Sequence, residues 1–217
     1  MGKIKIGFLV LLVLGFTVSG ASAVTFTMFE SDFNQDGVIT SSFSGNFVSI
    51  QYIQTFSTVG PHYGAVFVDP EIDEAINTFF NEYGSVVGIP VAGQSWEIDE
   101  PGYSFGDIFT NFTNGALDNT NSITLALFPN GEDVSMALGW NFSLGAGETA
   151  ALNYYITAVQ PTSGFYLVQT DPDSQASLYF YSTLQKGGVT VPEPGILLLL
   201  GLGLGFVGLG RKTLFRK

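Results

Sequence analysis

Nine residues near the start of the chain carry its most specific chemistry: Asp32-Phe33-Asn34-Gln35-Asp36-Gly37-Val38-Ile39-Thr40. Side-chain oxygens at the first, third and fifth positions can converge on a hard cation, Gly37 permits the sharp turn, and the Val38 carbonyl adds a ligand. Calcium is the cation that suits such a set, with Asp32, Asn34, Asp36 and Val38 as its ligands. The twelfth position is Phe43, so a complete shell needs another carboxylate or water. The same residue types also compose an Asx-rich hairpin turn, and both readings stand at this stage.

Elsewhere the chemistry is sparse. The chain has no cysteine, and His62 is its only histidine. Zinc sites built on His/Cys spacing are therefore excluded by count. A Ser-His-Asp site would have to use His62, which lies in Gly60-Pro61-His62-Tyr63-Gly64, a turn by composition, and no Gly-x-Ser-x-Gly elbow is present. Phosphate-binding glycine motifs are absent as well. Glu97, Asp99 and Glu100 cluster near Trp96 and Tyr103. An aromatic beside carboxylates suits sugar binding or glycosidic acid/base work, which needs two carboxyls set apart across a cleft; a solvated acidic loop has the same composition. No residue is assigned as catalytic and no cofactor other than calcium is implied.

The elements that must position these residues read mainly as strands. Runs that alternate with a period of two, punctuated by Gly, Asn, Asp and Pro, mark short strands of a sandwich or barrel. They are Val24 to Phe29, Val48 to Phe56, Ser122 to Phe128, Asp133 to Phe142, Glu148 to Val159, Gly164 to Thr170 and Ala176 to Leu184. In the fifth of them Ala150, Leu152, Tyr154, Ile156 and Ala158 share a face. One segment departs from this period: Asp69 can cap a helix, Pro70 suits its first position, and Ile72, Ala75, Ile76, Phe79, Phe80 and Tyr83 fall at helical spacing. The expected fold is all-β, mainly an antiparallel β-sandwich, with one short amphipathic helix from about Glu71 to Tyr83.

Both ends carry signals. Lys3 and Lys5, the apolar run Ile6 to Val18 and the small residues Ala21-Ser22-Ala23 form a secretory signal peptide with cleavage after Ala23. At the other end, Gly195 to Gly210 is uncharged and, as a helix at about 1.5 Å per residue, would span roughly 24 Å, against a bilayer core of about 30 Å. Arg211, Lys212, Arg216 and Lys217 follow it and hold that end in the cytoplasm by the positive-inside bias. These two signals contain six of the seven basic residues and, in Glu193, one of the 19 acids. The stretch Val24 to Thr190 is thus left with 19 − 1 = 18 acids and one base, Lys186, for a net charge of −17. Nucleic acid is excluded as a partner by that charge.

Val191-Pro192-Glu193-Pro194, the Leu/Gly-rich run and the basic tail resemble, in that order, the PEP-CTERM sorting signal. The resemblance implies export in a Gram-negative bacterium, recognition of Pro192, Glu193 and Pro194 by an exosortase, and a precursor held in the inner membrane by its C-terminal helix. It further implies release or transfer of the ectodomain to the cell surface or the exopolysaccharide matrix. Asp32 to Thr40 is similar to the loops of EF-hand and dockerin calcium sites. Gly145 to Ala150 and Gly164 to Leu167 are loosely similar to β-sandwich ectodomains attached to this signal. The expected organisation is a signal peptide (1–23), a β-sandwich ectodomain (24–187), a linker (188–194), a transmembrane segment (195–210) and a basic tail (211–217). The expected role is structural or adhesive and non-enzymatic, assisted by calcium. The alternatives are a carbohydrate-binding module using Trp96, Tyr103 or Trp140, and a carboxylate-based glycan hydrolase.

Overall fold

The computed structural model describes residues 24–41, 44–73, 80–102 and 104–188. In chain order they form β1 (Thr25–Gln35), β2 (Val38–Ser41), β3 (Gly45–Phe47), β4 (Ser49–Phe56), β5 (Gly60–Asp73), β6 (Tyr83–Val87), β7 (Gln94–Asp99), α1 (Ile108–Asn114), β8 (Ser135–Leu144), β9 (Glu148–Thr157), β10 (Tyr166–Thr170) and β11 (Ser177–Gly188). A first sheet runs β2-β1-β5-β8-β7, with β3 also paired to β1, and a second runs β4-β9-β11-β10-β6. The architecture is the expected mainly antiparallel β fold with two sheets and one short helix.

Alternation explains how the sheets close on one another. β9 turns Ala150, Leu152, Tyr154 and Ile156 into the core, β4 turns Ile50, Tyr52 and Phe56, and β8 turns Met136, Leu138 and Trp140. Phe33 of the first sheet meets Tyr52 of the second edge to face at 5.1 Å. Polar ties cross the apolar layer: Trp140 Nε1 donates to Ser182 Oγ at 2.8 Å and Gln94 Nε2 to the same hydroxyl at 3.1 Å, while Gln54 Nε2 donates to the Asn34 carbonyl at 3.1 Å and Gln169 Nε2 to the Pro70 carbonyl at 2.6 Å. Trp140 is only 6% exposed.

Three expectations are corrected. The helix predicted from Glu71 begins instead as strand, because Thr27 pairs with Glu71 and Phe26 with Ile72 in the β1–β5 ladder. Tyr83, at its other end, opens β6, and residues 74–79 lie outside the described ones. The described helix is α1, where Ile108 and Phe112 are buried one turn apart and Gly115 closes the end in the left-handed region at φ 68°. Ser122 to Phe128 is a turn rather than a strand: the Leu127 and Phe128 amides both donate to the Thr124 carbonyl at 2.9 Å. Gly60 to Gly64 is not a turn but the first part of β5, paired with β8 from Leu144 to Trp140. The predicted strands in the C-terminal half correspond to β8, β9, β10 and β11.

Candidate functional site

The carboxylates gather on the outer face of the first sheet. A bulge between Met28 and Glu30 shifts the register of β1 against β5, and a one-residue shift exchanges the faces of a strand. Phe26 and Met28 before it and Phe33 after it therefore enter the core, while Glu30, Asp32 and Asn34 take the outer side. β5 sends Val66, Val68 and Ile72 inward and leaves Asp69 and Glu71 outside. Ser135 of β8 and Glu97 and Asp99 of β7 alternate in the same way with Met136 and Ile98. Glu30 stands opposite Asp69, Ser135 opposite Asp99, and Ser135 Oγ donates to Asp69 Oδ1 at 2.8 Å. The row Glu30, Asp69, Ser135, Asp99 crosses four strands.

Like charges facing each other across a sheet repel, and among the described residues no lysine or arginine pairs with them. Lys186 donates to the Ser143 carbonyl at 2.7 Å. Burial first, and then the charges of Asp69, Glu71, Glu100 and Glu132, push the Asp133 carboxyl up to about 7. Burial with the neighbouring Asp32 and Asp69 lifts Glu30 to about 7, and burial lifts Asp69 to about 6 against the lowering effect of its Ser135 bond. Glu82 is fully buried, paired through two backbone hydrogen bonds to Glu132, and raised well above the carboxylate range by burial and by Glu71.

The Asp32 to Thr40 motif lies at one end of this face as the β1–β2 hairpin. Asp36 and Gly37 occupy its tip at φ 53° and 83°, the two left-handed residues of a type I′ turn. The side-chain oxygens of Asn34 and Asp36 are turned to internal partners, while Asp32 Oδ1 is buried without one. Asn34 Oδ1 accepts the Gly37 amide at 2.9 Å, while its Nδ2 donates to the Phe112 and Thr113 carbonyls at the end of α1. Asp36 accepts the Tyr63 amide at 2.9 Å and contacts His62 Nδ1 at 2.9 Å. Asp32 and Asn34 are buried, Asp36 and Val38 exposed. The structure brings Asp32 and Asn34 to one face and points Asp36 away to β5.

Thr58, His62 and Asp36 have the outline of a nucleophile, base and orienting acid, with Thr58 Oγ1 3.4 Å from His62 Nε2. The hydrogen bonding argues for another role. His62 Nε2 lies 2.7 Å from the Thr58 carbonyl, an acceptor that requires Nε2 to carry a proton and so removes the base from the hydroxyl. Burial lowers the His62 pKa, but the Thr58 carbonyl and Asp36 outweigh it and the net shift is upward. The group is a buried imidazole whose two ring nitrogens face Asp36 and the Thr58 carbonyl and fasten the hairpin to β5.

Glu97, Asp99 and Asp107 place one carboxylate oxygen each within 4.8 Å of one another. Glu97 Oε1 accepts from Asn111 Nδ2 at 3.0 Å and its Oε2 from the Asp118 amide at 3.2 Å, and Asp99 Oδ2 accepts the Asp107 amide at 2.9 Å. These bonds tie the α1 segment to β7. Burial outweighs the two N–H donors and lifts Glu97 to about 7. Trp140 is buried in the core, and Trp96, half-buried, packs on Phe165 at 6.0 Å. Tyr103 lies outside the described residues, as do the cleavage site at Ala23, Pro192, Glu193, Pro194, the segment 195–210 and the basic tail Arg211, Lys212, Arg216 and Lys217. Among the described residues no helix is long and apolar enough to cross a membrane.

The chain matches the PEP-CTERM protein-sorting motif over residues 190–216. No curated protein and no solved structure is significantly similar to it.

Proposed function

We propose that this chain, an exported substrate of exosortase by its PEP-CTERM motif, is a structural and adhesive component of the cell surface or extracellular matrix and performs no turnover of its own. The observation that carries the reading is the acidic outer face of the first sheet. Rows of carboxylates, facing one another with no lysine or arginine paired to them among the described residues, are held there at raised pKa values, an arrangement that attracts divalent cations from solution. Calcium shared between this face and an anionic matrix polymer would join the two through many weak contacts. Each contact is small alone, and their number supplies retention. The internal bonding of His62 and Glu97 supports a role without catalysis.

The test is retention of the exported protein on extracellular polymer from the producing cells. Sedimentation with the polymer in millimolar calcium and release by a chelator are expected, with no gain in reducing ends on incubation. Retention that ignores the chelator would overturn the cation-bridged contact, and absence from the polymer in both conditions would overturn the matrix role. Release of reducing ends, abolished by a single Asp or Glu substitution, would favour the hydrolase.

A further inference from the structure

The outer face of the second sheet differs in kind from that of the first. None of its outward positions is charged: β4, β10 and β6 contain no charged residue. Glu148 and Lys186, the charges on β9 and β11, share the inward phase of Ala150 and Leu184 at the strand ends. In an ectodomain of net charge −17, a whole sheet face without charge needs a reason.

What that face carries instead is tyrosine and amide. Tyr155 and Tyr181 stack at 4.9 Å and 16°, and Tyr166 meets Tyr179 edge to face at 5.8 Å. Gln51 Nε2 donates to the Tyr155 hydroxyl at 3.1 Å and to Asn153 Oδ1 at 3.3 Å, and Gln160 Nε2 donates to the Tyr166 hydroxyl at 2.9 Å. A groove of about 430 Å³ opens beside Gln51, Tyr155, Tyr181 and Gln160, and a second of about 410 Å³ opens at the other end of β4, β9 and β11, beside Thr55, Ala151, Gln185 and Lys186, whose ammonium donates to the Ser143 carbonyl. Along β9 the two ends are roughly 20 Å apart at about 3.4 Å per residue.

We infer that this face binds an uncharged polysaccharide chain, laid along β4, β9 and β11, with Tyr155 and Tyr181 as its aromatic floor and Gln51 and Gln160 as hydrogen-bonding partners. Sugar rings offer apolar C–H faces to aromatic groups and hydroxyls to amides, the mixture this groove presents. An anionic polymer finds one cation among the described residues, Lys186 beside the second groove, and otherwise meets a repelling domain. A second copy of the chain fits less well, because two such faces pressed together would bury amides and phenols away from partners and bring two highly acidic bodies into contact. The inference takes from the proposed function only that the protein works outside the cell, and it uses the opposite face of the sandwich from the calcium contact.

The test is titration calorimetry on the full chain, purified in a zwitterionic, sugar-free detergent, against neutral glucose and mannose hexasaccharides of defined linkage. An oligogalacturonate serves as the anionic probe. At least one neutral hexasaccharide should bind with a millimolar or tighter dissociation constant, equally in calcium and in chelator, and the oligogalacturonate should not bind without calcium. Tyr181→Ala should weaken that binding by about tenfold or more, worth about 1.4 kcal/mol, with Tyr181→Phe close to wild type. Gln51→Ala should weaken it with unchanged thermal stability, which covers the case in which Tyr181→Ala does not fold. Four results overturn the inference: no neutral hexasaccharide binds, the anionic probe binds equally well in chelator, Gln51→Ala and Tyr181→Ala bind as wild type, or sedimentation shows a Tyr181-dependent dimer in place of binding. The chelator arm separates this outcome from failure of the calcium contact.

Discussion

At His62 both ring nitrogens face oxygen, Asp36 on one side and the Thr58 carbonyl on the other, and the ring lies between Phe56 and Phe142 at 5.2 and 5.5 Å. Because its pKa is raised on folding, the folded chain holds this proton more tightly than the unfolded chain. The resulting stability is fully present below the unfolded pKa of about 6.5 and is lost as pH rises through the higher folded-state value. His62→Phe keeps an aromatic ring but removes both hydrogen bonds. It should lower stability by about 1 kcal/mol at pH 5.5, with the gap to wild type narrowing towards pH 8.5 in thermal melts at the two pH values. A gap that is constant or widens with pH would contradict the raised pKa. The sequence shows His62 as a lone residue in a Gly/Pro-rich stretch, and nothing in that stretch announces a partner at Asp36.

Elements are joined by residues whose types suggest other work. Asn34 reads as a calcium ligand in the sequence, and in the structure it holds the end of α1 through the Phe112 and Thr113 carbonyls. Asn34→Asp replaces the amide with a carboxylate, which is still a calcium ligand, but removes the Nδ2 group that makes both bonds. It should cost about 2 kcal/mol, and by the same amount in calcium and in chelator, measured by denaturant unfolding. A loss that calcium restores would return Asn34 to the metal. Gly37 and Gly131 offer a second comparison. A Cβ on Gly37 (φ 83°) meets nothing within 4 Å, so Gly37→Ala carries only the left-handed penalty of about 1 kcal/mol. At Gly131 (φ 77°) the added Cβ falls on the Asn81 carbonyl, so Gly131→Ala should be far more destabilising. Equal melting temperatures for the two variants would contradict the packing of the segment holding Asn81 against the turn before β8.

For the whole molecule the dominant electrostatic fact is the concentration of acids on one sheet face. Glu30, Asp69, Glu97 and Asp133 all have folded-state pKa values raised to about 6 or 7. Each therefore binds its proton more tightly when folded. Their contribution to stability is present below the ordinary carboxylate range of about 4 and is lost as pH rises through 6 to 7. The melting temperature should fall between pH 5 and pH 8, and Asp133→Asn should flatten that fall. Millimolar calcium at pH 8 should recover part of it by screening the same charges. A melting temperature that rises from pH 5 to pH 8 would contradict the arrangement.

The sequence by itself determined the class and the destination. Period-two alternation needs only local geometry, so Ala150, Leu152, Tyr154 and Ile156 identify β9 and its buried face without knowledge of its partners. The sorting motif is a contiguous run of residues and is equally legible. Tertiary structure alone decided which strands carry the acids to the same face. The bulge between Met28 and Glu30 reverses the phase of β1 and puts Asp32 and Asn34 outside with Asp69. Pairing with β1 kept Glu71 and Ile72 in a strand despite capping and spacing suited to a helix. Tyr155 and Tyr181 are 26 residues apart in sequence and become a stacked pair only because β9 and β11 are neighbours. Such contacts depend on strand order and register, which long-range pairing sets and local residue patterns do not encode.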